Sequence, residues 1–132
     1  MNENFWLNYI KANSIHPDCS KLSFDGIKDI LRQRKEIVFK PLPVMAKNDI
    51  PVRSFNSNET IVLKKGTLLI VLAAAFTTLN EWIFLIDTGH DGFGHSEVGG
   101  YTKLYYPELV GKNRFWYVPL NMIVVTSNGV RI

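Results

Sequence analysis

The chain has 132 residues, 46% of them apolar and 12% aromatic. That suits one packed domain and excludes wholesale disorder. A formal charge of +3 permits an acidic partner without demanding one. The single cysteine, Cys19, excludes an internal disulfide and predicts a reducing, cytoplasmic setting.

Two helices are predicted before residue 37. Over residues 4 to 13, Phe5, Trp6, Tyr9 and Ile10 share one helical face. A loop with Pro17 and Asp18 follows. Ser23 then precedes a second helical pattern that turns Phe24, Ile27, Ile30 and Leu31 inward. Asp25 in its first turn and Arg32, Arg34 and Lys35 in its last suit the helix dipole.

After Ile37 the character changes. Pro41, Pro43 and Pro51 exclude long helices, and β-branched and aromatic residues become common. Strands are predicted near 37–40, 52–55, 60–64, 67–75, 81–87, 101–106, 114–118 and 122–126. Turn pairs such as Lys65-Gly66 and Asn128-Gly129 punctuate them. The apolar run from Thr67 to Leu79 holds 13 residues, short of the roughly 20 that span a bilayer. The first residues lack the basic start and apolar run of a signal peptide. The expected architecture is mainly β: a small antiparallel barrel over residues 37–132, with residues 1–36 as a helical appendage.

Three segments in one order carry a family resemblance. Glu59 to Gly66 has the shape acidic-x-Leu-x-Phe-x-x-Gly, by which a strand leaves a long loop. Trp82 opens the next strand but one. Tyr117-Val118-Pro119-Leu120-Asn121-Met122-Ile123 makes a strand, a tight turn and a last strand. Across roughly residues 37–126 the chain resembles a Src-homology-three barrel. The resemblance implies a binding module, with Trp82 lying partly exposed across a ligand groove beside Pro119 and Asn121. In place of the family's Ala-Leu-Tyr-Asp-Tyr signature stands Val38 to Val44, Met122 replaces a groove tyrosine, and Asp87 to Arg114 forms a long insert. The resemblance therefore implies capture of a protein partner without naming polyproline as the ligand.

Aromatic residues extend the candidate surface. Phe115, Trp116 and Tyr117 are consecutive, so on a strand they alternate faces. Tyr101 and Tyr105 fall on the predicted neighbouring hairpin, and Trp and Tyr dominate interface hot spots. The partner-binding set is Trp82, Tyr101, Tyr105, Trp116, Pro119 and Asn121. An inhibitor of the immunity-protein type, from a bacterium or phage, is the form of capture such a small chain suits.

Two other classes compete. Asp87, His90, Asp91 and His95 place two carboxylates and two imidazoles in nine residues, the ligand types of a metal-dependent enzyme. Their spacing matches no metal motif, and a glycine-rich turn explains them as well. No catalytic residue, metal site or cofactor is assigned. Lys28, Arg32, Arg34, Lys35 and Lys40 offer a basic edge for nucleic acid, but Asp25, Asp29 and Glu36 interleave with them.

Overall fold

The computed structural model describes residues 3–54, 57–90, 93, 115–127 and 130–131. Two α-helices, α1 (Glu3–Asn13) and α2 (Phe24–Arg32), precede eight strands among these residues. Ser23 caps α2 by accepting a hydrogen bond from the Gly26 N–H at 3.1 Å. The loop between the helices, which the sequence leaves irregular, is a short 3₁₀ turn over Pro17–Lys21. Proline at its first position has no N–H to lose there.

The strands are β1 (Ile37–Ala46), β2 (Ile50–Arg53), β3 (Thr60–Leu63), β4 (Leu68–Phe76), β5 (Trp82–Asp87), β6 (Phe115–Pro119), β7 (Ile123–Ser127) and β8 (Val130–Arg131). Their order in the main antiparallel sheet is β6-β5-β4-β1-β7-β8, while β2 and β3 form a separate hairpin. The fold is thus mainly β, a curled antiparallel sheet with two short helices. The predicted strand at 101–106 and the Asn128-Gly129 turn lie outside the described residues.

β1 runs six residues past its predicted end because its prolines sit where the ladders are incomplete. Pairing with β4 shifts register between Val38 and Leu42, and pairing with β7 begins only at Val44. A second register shift falls between Val71 and Ala73 of β4. It puts the consecutive Leu72 and Ala73 into the same apolar cluster, as a bulge does. The turn into β4 uses Gly66 at a φ of 87°, with Thr67 N–H bonded to Lys64 O at 2.9 Å.

The two faces of the sheet bury different sets. Ile37, Phe39, Val71, Phe84, Ile86 and Val118 share a core with Trp6, Leu7 and Ile10 of α1 and Ile27 and Leu31 of α2. The helices and the strands of the sheet therefore have one hydrophobic core in common. Trp6 seals it, its ring centroid 4.3 Å from Phe84 and 6.1 Å from Phe39. The opposite face holds a smaller cluster of Val38, Leu72, Ala73, Leu85 and Phe115.

Candidate binding cleft

The pairing of β5 with β6 sets Ile83 opposite Pro119, so the start of one strand lies beside the end of the other. After Pro119 the chain makes a 3₁₀ turn, Leu120–Met122, and enters β7. Proline fixes φ at the turn's entry, here −72°. The Lys47 N–H, just past β1, donates to Met122 O at 2.7 Å and anchors the far side. These elements enclose a cleft of about 670 Å³ lined by Lys47, Thr77, Glu81, Trp82, Ile83, Pro119, Leu120, Asn121, Ile123 and Val124. Its rim is polar and exposed at Lys47, Glu81 and Asn121, and its wall is apolar. That mixture suits a polypeptide better than a small charged metabolite.

One wall is the β4–β5 turn. Thr77 N–H bonds to Glu81 O at 2.9 Å, and the Thr77 Oγ1 accepts from the N–H groups of Leu79 and Glu81, both at 3.2 Å. Asn80 takes the left-handed conformation, φ 60°, which asparagine tolerates. The Arg34 guanidinium, just beyond α2, donates to Asn80 Oδ1 at 3.0 Å and to Thr78 O at 3.1 Å. A cation that reads as part of a basic edge is thus holding the cleft's wall. Two others are also engaged: Lys28 with Glu3 at 3.1 Å and Arg32 with Asp29 at 2.7 Å.

The structure corrects the expected exposure of Trp82. Trp82 is among the residues that line the cleft but is only 8% exposed. It stacks on Phe84 at 5.8 Å and meets Phe76 edge-on at 5.1 Å. Its Nε1–H donates to Glu3 Oε1 at 3.1 Å, and Lys28 Nζ holds Glu3 Oε2 at 3.1 Å. These two hydrogen bonds, that of Trp82 first, hold the Glu3 carboxyl below its usual range, against a smaller opposing effect of burial.

Trp116 is not in the cleft lining. Half-buried, it packs against the main core, while Phe115 and Tyr117 turn to the smaller cluster on the other face. Both sides of this strand meet apolar neighbours, so its alternation exposes no aromatic ridge. Tyr101 and Tyr105 lie outside the described residues. Pro119 and Asn121 are exposed and line the cleft. Sequence reasoning did not single out Lys47, Thr77, Glu81 or Leu120 as site residues. Glu81 and Leu120 flank Trp82 and Pro119 in the chain, and that adjacency was the available signal.

At the other end of β5, Asp87 Oδ1 accepts from the Gly89 N–H at 2.8 Å. The buried Thr88 hydroxyl accepts from the His90 N–H at 3.2 Å and lies 3.2 Å and 3.3 Å from the carbonyls of His90 and Phe93, to which it donates. Asp87 thus has a turn-forming role. Among the described residues no three His, Cys, Asp or Glu side chains converge as a metal site; Asp91 and His95 lie outside them. No helix among the described residues is long and apolar enough to cross a membrane. No protein-family model, curated protein or solved structure matches the chain.

Proposed function

We propose that this chain is a Src-homology-three-like barrel that captures a protein partner, without catalysis, in the cleft at Trp82, Pro119 and Asn121. The observation that carries the reading is convergence. Three residues singled out from two segments far apart in the chain, Trp82 from one and Pro119 and Asn121 from the other, line one cleft. The segments themselves support it. Glu59–Gly66 leads through β3 into a tight turn, Trp82 opens β5, and Tyr117–Ile123 forms strand, 3₁₀ turn and strand. The partner that fits presents an apolar side chain to the Trp82–Leu120 wall and hydrogen-bonding groups to Asn121 and Glu81.

The test is capture of partners on the immobilised chain, identified by mass spectrometry and then measured with the purified partner. Asn121 is exposed and makes no hydrogen bond recorded among the described residues, so Asn121→Arg changes the cleft more than the fold. Its affinity should fall at least tenfold, about 1.4 kcal/mol, while Lys21→Ala, in the turn between the helices, binds normally. Equal binding by wild type and Asn121→Arg would refute the cleft as the docking site.

A further inference from the structure

Among the described residues only two other than glycine take a positive φ, Arg34 at 61° and Asn80 at 60°, and their side chains are joined. Arg34 follows the C-cap of α2, the place where helices favour a left-handed glycine. A side chain there carries a steric penalty, so an arginine needs a reason. Its guanidinium crosses to the β4–β5 turn and donates to Asn80 Oδ1 and Thr78 O. Within the turn, Thr77 N–H donates to Glu81 O, Asn80 N–H donates to Thr77 O, and the Thr77 hydroxyl accepts from the Leu79 and Glu81 N–H groups. The turn is thus fixed from within and from the end of α2. What it holds out is Leu79, 77% exposed, the most exposed of the large apolar side chains described. Leu79 packs in neither apolar cluster, so its side chain adds nothing to the core. The two legs of the turn, Thr77 and Glu81, line the cleft, while Leu79 does not.

We propose that the Thr77–Glu81 turn is a pre-formed recognition loop: Leu79 inserts into an apolar pocket of the same protein partner that the cleft engages. The partner is a folded protein, because a leucine held out on a tight turn needs a concave apolar surface, which an extended peptide does not offer. Arg34 is exposed beside the turn and its guanidinium has further donors. An acidic rim on the partner's pocket complements that charge. A loop fixed before the encounter loses less freedom on binding, and that gain accounts for an arginine at a position that suits glycine. The inference rests on reading the chain as a partner-binding module. The cleft receives and the turn inserts, and Thr77 and Glu81 belong to both.

The partner recovered on the immobilised chain, once purified, is titrated against variants by calorimetry. Leu79→Ala should weaken binding about tenfold or more, with an unchanged melting temperature because the side chain is exposed. Arg34→Gly suits the left-handed backbone, so α2 ends as before while the brace is lost. NMR relaxation of that free variant should show the Leu79 amide gaining fast motion, and its affinity for the partner should fall about fivefold. An Arg34 that serves the fold alone would instead lower the melting temperature and leave the affinity of the folded protein unchanged. That result would overturn the proposal, as would a turn that stays rigid in Arg34→Gly. The same titration separates the two contacts. Full binding by Leu79→Ala with weak binding by Asn121→Arg refutes the turn and leaves the cleft standing. The reverse pattern refutes the cleft and supports the turn.

Discussion

Trp6 and Trp82 both contact Phe84, yet the two surroundings are built on different physics. Trp6 is 0% exposed and packs against Phe39 and Phe84, and its Nε1–H has no hydrogen-bond partner among the described residues. Trp82 is 8% exposed at a cleft, and its Nε1–H is held by Glu3. An unmade buried hydrogen bond costs about 1–3 kcal/mol. Removing a large aromatic from a core costs about 3–5 kcal/mol, so packing outweighs the orphaned N–H at Trp6. At Trp82 the polar contact to Glu3 is added to packing on Phe76 and Phe84. The lesson is that the helices do more than cover the sheet. α1 closes the core with one tryptophan and restrains the cleft through another.

The comparison breaks most visibly if Trp6 is replaceable. Trp6→Ala should lower unfolding free energy by about 3–5 kcal/mol, read by urea denaturation. A loss below about 1 kcal/mol would show that α1 is not part of the core. A smaller effect is expected at Glu36, between α2 and β1, where burial pushes the carboxyl up to about 7 from the usual 4.5. The folded state therefore binds a proton that the unfolded state has already released. No penalty exists below about pH 4.5; it grows as pH rises and is complete above about 7. Glu36→Gln should raise stability by about 2 kcal/mol at pH 8, the full shift being discounted for partial exposure. At pH 4 it should change stability little. Melts at the two pH values distinguish this from a gain that is the same at both.

The turn before β4 gives the next step down. Gly66→Ala forces a side chain into φ 87°, although no atom lies within 4 Å of the new Cβ. Destabilisation of about 1–2 kcal/mol is expected from backbone strain alone, measured by thermal unfolding. The smallest effect on folding belongs to the cleft rim. Asn121→Arg should shift stability by less than about 0.5 kcal/mol while reducing partner affinity at least tenfold, as set out above. A large loss of stability there would make Asn121 part of the fold rather than of a recognition surface.

Much of the fold was legible because its signals are local. The 3.6-residue spacing of Trp6 and Ile10 predicts α1, and Ser23 marks the start of α2. The strands at β3, β4, β5, β6 and β7 fall within about two residues of their expected ends. β1 runs past its expected end, and only its pairing with β4 and β7 shows that Pro41 falls in a register shift and Pro43 just before the β7 ladder begins. The candidate site was legible in part. Trp82, Pro119 and Asn121 stood out through their segments, but the burial of Trp82 did not. Nor did its hydrogen bond to Glu3, 79 residues away in the chain, because no local pattern encodes a contact at that separation. The run Phe115-Trp116-Tyr117 was legible only in part for a related reason. Alternation states that its side chains point both ways, but not that both faces of the sheet are apolar.

The amino-acid sequence by itself determined the change from helices to strands near Ile37, the capped start of α2 and the glycine turn before β4. Each follows from backbone preferences and side-chain periodicity within a few residues. Only the tertiary structure decided that Trp6 lies in the core and Trp82 at a cleft, that Arg34 braces the Thr77–Glu81 turn, and that Glu3 ties both helices to β5. Those outcomes depend on which surfaces meet when the helices dock, and docking is set by the summed burial of distant residues rather than by any one segment.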